Sequence, residues 1–234
     1  MIEDEFPKLK VARMDIDSVK GKSAHDNLIK LFEQQRIDLL VGTQMVVKGL
    51  DFEKVSLVGI LDADGLLNFA DFRVNERAFQ LMEQVSGRAG RKDEQGKVLV
   101  QASQVNHPVL QFVQHHDYKK MYEFEINNRQ QFFYPPFSRI IEITLKHKSK
   151  EAVDEAADQL GIALKKDLNN FVVGPAAPVV ARVRNYYLME LLIKLPLDTK
   201  QIQRYKQVIK NHFNLILAEK KFRAVVMIAD VDAN

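Results

Sequence analysis

The sequence predicts an α/β protein, with a parallel-sheet domain over residues 1–105 and a smaller α+β domain over residues 138–234. Three observations support this prediction. In the first segment, short apolar stretches ending in polar residues alternate with amphipathic helical patterns, as in parallel sheets covered on both faces. In the last segment, the order of patterns is strand, helix, two strands, helix and strand. Between the two, Tyr134-Pro135-Pro136-Phe137 interrupts a helical stretch, because proline cannot continue a helix.

The first domain is predicted to contain four strands and two main helices, after the frayed end of a helix at residues 1–7. The predicted strands cover residues 8–17, 37–44, 55–61 and 97–101. Ser23 is predicted to cap a helix that runs to Gln34. The second helix is predicted over residues 73–86 and has an apolar stripe formed by Ala78, Phe79, Leu81, Met82 and Val85.

Residues 106–137 are predicted to form a helical connector in which Asp117 caps a helix. The strands predicted for the second domain cover residues 139–148, 186–195 and 223–231, and its helices cover residues 151–168 and 200–218. The stretch 171–184 reads as extended, but Gly174-Pro175 predicts a bend or a bulge there. The resulting order, βαββαβ, is that of the ferredoxin-like split arrangement.

Composition indicates an ordinary globular protein, because 46% of the 234 residues are hydrophobic and 28% are charged. The absence of cysteine excludes disulfides and thiolate metal sites. No apolar run approaches the ~18 residues of a membrane span, and the acidic start is unlike a secretory signal. The pair His115-His116 has no carboxylate at metal-ligand spacing, so we predict no metal site.

The stretch Gln84–Arg91 contains two Gly-Arg pairs three residues apart. This spacing places Arg88 and Arg91 on one side of a helical turn, where their planar guanidinium groups suit phosphate oxygens. An ordinary helix C-terminus, which also favours glycine and arginine, is the alternative interpretation. Asp62 and Asp64, at the end of a predicted strand, are likewise either functional or solvated cap residues.

Two stretches resemble motifs of superfamily 2 helicases: residues 40–52 resemble motif V and residues 84–91 resemble motif VI. A narrower resemblance, to the primosomal replication-restart helicases, covers nearly the whole chain. It is carried by Gly42-Thr43-Gln44-Met45-Val46-Val47-Lys48-Gly49, Ala70-Asp71-Phe72-Arg73 with Glu76-Arg77, the Gln84–Arg91 stretch, and Tyr134-Pro135-Pro136-Phe137. The resemblance implies that the first domain is the second RecA-like lobe of a helicase motor.

The resemblance also implies roles for individual residues. Arg88 and Arg91 would reach across the interface between the two lobes to the ATP phosphates, and Gln84 would organise the attacking water or that interface. Gly49 and Asp51 would approach the ribose and phosphates of the nucleotide. The implied contacts to the DNA backbone are Thr43, Gln44 and Lys48.

The implied activity is that of an ATP-dependent DNA helicase that recognises stalled or branched forks and restarts replication by primosome assembly. ATP and Mg²⁺ would be bound mainly by a preceding lobe, and zinc by a cysteine-rich module of the parent protein. The implied partners are forked and single-stranded DNA, other primosome proteins and single-stranded-DNA-binding protein, in the bacterial cytoplasm at the nucleoid.

This sequence contains no Walker A motif, because Ile16 stands where the pattern ending in Gly21-Lys22-Ser23 would need glycine. We therefore expect a C-terminal fragment that hydrolyses no ATP by itself. The alternative function is that of a complete, non-catalytic module that binds branched DNA or a replication protein.

Two features of the second domain bear on nucleic-acid binding. The turn Arg182-Val183-Arg184-Asn185-Tyr186-Tyr187 places cations beside aromatic rings, so Arg182, Arg184 and Tyr186 are candidate contacts; a solvated hairpin is the alternative. Residues 198–223 carry seven lysines and arginines against two carboxylates. We interpret this second feature as a solvated helix face, which would follow phosphates only at low salt.

Overall fold

The structure is a computed structural model, and it describes residues 2–15, 22–43, 55–69, 71–87, 89 and 96–231. The chain divides into two compact units, Met1–Glu123 and Phe124–Asn234. The division falls within the predicted connector, and the domain limits 1–105, 106–137 and 138–234 stay predictions.

Unit 1 alternates helices with short strands, as its sequence pattern predicts. The elements of this unit, together with the helix in which the division falls, are α1 (Ile2–Glu5), β1 (Val11–Met14), α2 (Lys22–Glu33), β2 (Leu39–Gly42), β3 (Leu57–Ile60), α3 (Ala63–Leu67), α4 (Val74–Ser86), β4 (Lys97–Val100), α5 (Pro108–Gln114) and α6 (Tyr118–Gln131).

The strands of unit 1 pair in parallel, which confirms the predicted strand type. β1 pairs with β2, with Val11 opposite Leu39, and β3 pairs with β4, with Leu57 opposite Lys97. Within the described residues these are two separate two-stranded sheets. Strand β2 is followed directly by Thr43, and Asp62 stands two residues after the end of strand β3, so a polar residue lies near the carboxyl end of each.

Two apolar clusters hold unit 1 together. Met14 is fully buried among side chains of α2 and β2. The larger cluster joins α3, α4 and α5, and its buried members include Phe79, Met82 and Val109. The predicted stripe of α4 is correct at Ala78, Phe79 and Met82, whereas Leu81 and Val85 are only half-buried.

The short helix α3 is the element of unit 1 that hydrophobic patterning does not predict. It is only five residues long and contains Gly65, which disfavours a helix. Its start is stabilised by the Asp62 side chain, which accepts a hydrogen bond from the Gly65 backbone N–H at 3.2 Å. A local cap therefore replaces a periodic pattern as the cause of this helix.

Unit 2 is an antiparallel sheet with two long helices. Its strands lie in the order β6-β8-β5-β9, and the short β7 forms a hairpin with β8. Every adjacent pair is antiparallel. The elements are β5 (Arg139–His147), α7 (Lys150–Leu168), β6 (Val172–Ala176), β7 (Arg182–Val183), β8 (Tyr186–Leu195), α8 (Thr199–Ala218) and β9 (Val226–Val231), with 3₁₀ turns at Asn169–Phe171 and Lys220–Phe222.

Both helices pack on the same face of this sheet and form one apolar core with it. Ile143 and Leu191 supply the core from the strands, Leu160 supplies it from α7, and Phe213 from α8. The bend predicted at Gly174-Pro175 is confirmed, because the register of β6 against β8 shifts between Val173 and Ala176.

Candidate functional site

The described part of the Gln84–Arg91 stretch is the end of helix α4. Gln84 lies on that helix and is exposed. The helix ends at Gly87, whose backbone N–H donates to the Glu83 carbonyl at 3.0 Å, and the Ala89 N–H donates to Ser86. Gln84 is therefore an exposed residue in the last turn of α4, four residues before Arg88 in the sequence.

The predicted DNA contact Thr43 directly follows β2 and is exposed. It stands at the carboxyl end of a parallel strand, where open parallel sheets hold their ligands. The other predicted site residues of this unit lie outside the described residues; they are Gln44, Lys48, Gly49, Asp51, Arg88 and Arg91.

Asp62 and Asp64 stabilise local structure at the carboxyl end of β3. Asp62 caps α3, and Asp64 accepts a hydrogen bond of 2.6 Å from the Ser103 backbone N–H. The bond from Ser103 holds the pKa of the Asp64 carboxyl below its usual value. Asp64 thereby joins the segment after β3 to the segment after β4, so the cap interpretation fits both carboxylates.

The Asp71-Phe72-Arg73 signature lies just before and at the start of helix α4. Asp71 accepts a hydrogen bond from the Arg73 backbone N–H at 2.9 Å and forms an ion pair with Arg77 at 2.5 Å. The Arg73 guanidinium lies 5.0 Å from the centre of the Phe72 ring. These contacts fix the entry to α4, the helix that leads to Gln84.

A cavity of about 470 Å³ lies beside the end of α4. Its lining includes Ser86, Val98, Val100, Leu110 and His116. The His116 ring is 3.0 Å from Glu83, which pairs α4 with the end of α5. The described lining is about equally polar and apolar but includes no lysine or arginine to neutralise a polyphosphate, so we assign no nucleotide to it.

The signature Tyr134-Pro135-Pro136-Phe137 joins α6 to β5 and is tied to the sheet of unit 2 by Lys194. The Lys194 ammonium lies 3.5 Å from the centre of the Tyr134 ring and donates a hydrogen bond of 2.7 Å to the Phe132 carbonyl. Burial lowers the pKa of Lys194. In this structure the signature therefore positions the start of the sheet.

The turn that contains Arg182, Arg184 and Tyr186 is a two-residue hairpin between β7 and β8. Val183 pairs with Tyr186, so Arg184 and Asn185 form its tip with φ angles of 46° and 68°. Positive φ at both central positions is typical of a type I′ hairpin. The Arg182 guanidinium donates to the Asn185 side chain at 3.3 Å and lies 4.9 Å from the centre of the Tyr187 ring.

The three candidate residues of this hairpin do not share one face of the sheet. Arg182 pairs with Tyr187, which packs on the core, so Arg182 lies on the helix side. Tyr186 lies on the opposite face, since successive strand residues alternate. There the ammonium groups of Lys146 and Lys148 lie 5.7 Å and 5.9 Å from the centre of its ring.

Lys146 and Lys148 are candidate contacts that sequence reasoning missed. The signal was present in part, because Lys146 alternates with the apolar residues of strand β5 and Lys148 follows the end of this strand. Their position beside Tyr186 follows only from the register of β5 against β8, in which Lys146 is opposite Leu188. Register between distant strands cannot be deduced from one strand pattern.

The basic stretch 198–223 forms helix α8 and the turn that follows it. Some of its charge is engaged within the unit: Lys221 forms an ion pair with Glu155, and His212 lies 2.6 Å from Asp167 of α7. Arg204, Lys206 and Lys210 are exposed on α8. These observations fit the interpretation of a solvated helix face.

The described residues contain neither a metal-binding group of His, Cys, Asp and Glu side chains nor a membrane-spanning helix. No three of these side chains among the described residues are grouped so that they could hold a metal ion. None of their helices is both long and apolar enough to cross a bilayer.

Two family models match this chain in succession. Residues 1–93 match the helicase conserved C-terminal domain, and residues 130–234 match the primosomal protein N C-terminal domain. The two matches together cover most of the chain, and their order is that of the two predicted domains.

Curated relatives are similar to this chain over most of its length. The replication restart protein PriA of Bacillus subtilis (strain 168) is 36% identical over 217 residues, which cover 90% of this chain and 27% of that protein. The PriA proteins of Synechocystis sp. and Chlamydia pneumoniae are 39% and 32% identical and cover 88% and 99% of this chain. The chain spans only 26–30% of the length of these three relatives.

Proposed function

The chain belongs to the family of the replication restart protein PriA, and from this we propose that it is the C-terminal part of an ATP-dependent DNA helicase. In this proposal the parent protein recognises stalled or branched replication forks and restarts replication by primosome assembly. The chain supplies the second motor lobe, with the arginine half of the ATP site, and a C-terminal DNA-binding domain.

The observation that carries the proposal is the helicase match over residues 1–93, which includes both motif stretches. The local structure supports it, because α4 is anchored at its start by the Asp71–Arg77 ion pair and presents Gln84 at its exposed end. Because the start of α4 is fixed in this way, the position of its carboxyl end is also defined. Thr43, at the end of β2, is the described residue of the proposed DNA contact.

We propose that Arg88 and Arg91 bind the ATP phosphates and that Gln84 positions water or the interlobe contact. Gly49 and Asp51 are proposed to contact the nucleotide, and Thr43, Gln44 and Lys48 the DNA backbone. ATP supplies the phosphoryl group that is transferred to water. Guanidinium groups are suited to phosphate binding because each one can donate two parallel hydrogen bonds to phosphate oxygens. They also keep their charge at every accessible pH.

Metal binding is assigned to other parts of the parent protein. The described residues offer no metal-binding group, and the sequence has no cysteine to hold zinc. We therefore propose that Mg²⁺ is held mainly by a preceding lobe and zinc by a separate module. In this proposal, neither Mg²⁺ nor zinc takes a ligand from the described part of this chain.

Unit 2 is proposed to be a ferredoxin-like domain that binds DNA. Its strand order and its antiparallel pairing support the fold, with β7 as an addition to the basic βαββαβ pattern. Arg182, Arg184 and Tyr186 are proposed contacts to forked or single-stranded DNA at the nucleoid. Other primosome proteins and single-stranded-DNA-binding protein are the proposed protein partners.

Arg91→Ala tests the proposal in a protein that carries this chain together with a preceding helicase lobe. We expect DNA-stimulated ATPase to fall by about 10³-fold or more, because charge in the transition state loses its guanidinium partner. DNA binding, measured by fluorescence anisotropy, should persist. Arg36→Ala, at an exposed arginine just after α2, is the control and should leave ATPase unchanged. Normal ATPase in Arg91→Ala would contradict the proposed role.

A further inference from the structure

Tyr186 lies on the face of the unit 2 sheet that is turned away from helices α7 and α8. The side chains of Tyr187, Met189 and Leu191 pack with the helices in the core. Tyr186 and Leu188 alternate with them along β8 and therefore point to the other face. Lys146, opposite Leu188 in the register, lies on that same face.

Two lysines flank the Tyr186 ring without a carboxylate partner of their own. The ammonium groups of Lys146 and Lys148 are 5.7 Å and 5.9 Å from the ring centre, near the outer limit of a cation–π contact. Among the residues that the structure describes, no carboxylate lies within ion-pair distance of either lysine. Both ammonium groups can therefore move to an incoming anion without breaking an ion pair.

Charge over the unit favours an anionic partner and directs it to one end of this face. Residues 124–234 contain 17 lysines and arginines against 12 aspartates and glutamates, so this unit carries the positive excess of the chain. Glu142 and Glu190 lie further along the same face, because Glu142 is opposite Leu192 and Glu190 is opposite Thr144. A polyanion is repelled from that end and drawn to the end that contains Tyr186.

Arg184 adds a cation at the tip of the adjoining hairpin, in a backbone conformation that arginine seldom adopts. Its φ of 46° is left-handed, where glycine or asparagine would be the favoured residue. Backbone strain of this kind is concentrated at functional positions. Arg184 is exposed beside Tyr186, so its charge extends the basic end of the face.

From these observations we propose that Tyr186, Lys146 and Lys148 form a binding site for an unpaired nucleic-acid strand on the sheet face opposite the helices. A base stacks on the Tyr186 ring, and the two lysines leave the ring to bind the flanking phosphates. The inference rests on the proposed function of unit 2 as a DNA-binding domain and specifies which strand state it binds. Arg182, on the other face, is not part of this site.

Stacking decides between an unpaired strand and a duplex. In a duplex each base is covered above and below by its neighbours, so a tyrosine can reach a base face only after unstacking. An unpaired strand offers base faces freely, and stacking on an aromatic side chain tolerates any sequence. A basic surface without an accessible ring would bind a duplex equally well, so the ring is the discriminating group.

The test is fluorescence anisotropy of a labelled oligothymidylate with the full 234-residue chain and its variants over a range of salt concentrations. Tyr186→Leu should weaken binding by between about 5-fold and 100-fold, whereas Tyr186→Phe should retain it. In Lys146→Gln/Lys148→Gln, the negative slope of log affinity against log salt should become less steep by about 1.4, because two phosphate contacts are lost. Lys206→Gln/Lys210→Gln on α8 is the matched control and should bind as the parent does.

Circular dichroism of each variant shows whether it is folded, and the lysine pair tests the site even if Tyr186→Leu is unstable. The inference would be overturned if binding were lost in the α8 variant. It would also be overturned if a duplex competed equally and its binding were unchanged by Tyr186→Leu. Either result would leave the proposal that unit 2 binds DNA intact. Equal binding of polyglutamate, with no effect of Tyr186→Leu, would indicate a surface for acidic proteins. Failure to bind either the oligonucleotide or a forked duplex would reject the DNA-binding proposal itself.

Discussion

His107 shows how one side chain can make unit 1 sensitive to pH. Its ring nitrogen Nδ1 accepts a hydrogen bond from the Val109 backbone N–H at 3.3 Å and so caps helix α5. Only a ring with Nδ1 unprotonated can accept this bond. Burial lowers the pKa of His107 from its usual 6.5, while the charge of Asp64 acts in the opposite direction.

The sign of the resulting pH dependence follows from linkage. Between the lowered folded pKa and 6.5, the unfolded chain binds more protons at His107 than the folded chain, so stability falls as the pH is lowered through this range. We expect His107→Ser, which keeps a capping oxygen but does not titrate there, to show a smaller loss of stability between about pH 7.5 and about pH 5.5. Urea unfolding at several pH values measures the difference.

His107→Ala separates the cap from the titration. It removes both, so it should be less stable than His107→Ser by about 1 kcal/mol at every pH, while showing the same flatter profile as that variant. If His107→Ser and the parent lose the same stability as the pH falls, then His107 is not the group that causes the pH dependence.

The packing of helix α7 against strand β6 depends on Gly161, in the middle of the helix. A Cβ atom at this position would lie 2.8 Å from Cδ of Pro175 and 3.5 Å from Cδ2 of Leu191. The proline ring is rigid and sits on the bulged strand, so the clash cannot be relieved by rotating a side chain. The glycine therefore permits the close approach of these two elements.

Gly161→Ala should destabilise unit 2 despite the higher helix propensity of alanine. Alanine gains about 1 kcal/mol in a helix interior, whereas overpacking a core costs about 1–3 kcal/mol. We expect a net loss of about 1 kcal/mol in the free energy of unfolding, measured by urea denaturation. Ile162→Ala, at a neighbouring exposed position, is the control and should change stability by no more than about 0.5 kcal/mol. A stabilised Gly161→Ala would show that β6 can move away at little cost.

Elements with a strong periodic pattern could be predicted from the sequence, and elements formed by local bonds could not. Helix α7 and strand β8 match their predicted ranges to within one residue, because apolar side chains recur at the helix or strand period. Helix α3 could not be predicted, since a side-chain cap by Asp62 outweighs the cost of Gly65. Within the described residues, strand β1 begins at Val11 and not at the predicted Lys8, because the pairing with β2 starts at Val11 opposite Leu39.

At the scale of the whole molecule, the family could be inferred from short motifs, whereas the arrangement of a binding face required the fold. Each motif stretch is a short continuous run of sequence, so the order of these runs along the chain is enough to reveal them. The grouping of Lys146 and Lys148 with Tyr186 joins strands that are almost 40 residues apart in sequence. The separation of Arg182 from Tyr186 likewise depends on which face each residue occupies, and this follows only from pairing.

The proposed division of the ATP site between two lobes makes a direct prediction for the isolated chain. Phosphoryl transfer needs a phosphate-binding loop and a metal held by carboxylate or hydroxyl ligands, in addition to an arginine finger. The sequence lacks a Walker A motif, and the arginines alone cannot position a nucleophile. We therefore expect no ATP hydrolysis above the buffer background, with or without single-stranded DNA, in a phosphate-release assay containing Mg²⁺. Fusing a first helicase lobe that carries a Walker A motif ahead of this chain should produce DNA-stimulated hydrolysis, and Arg91→Ala should abolish it. Hydrolysis by the isolated chain clearly above the buffer background would mean that the chain holds a complete nucleotide site of its own.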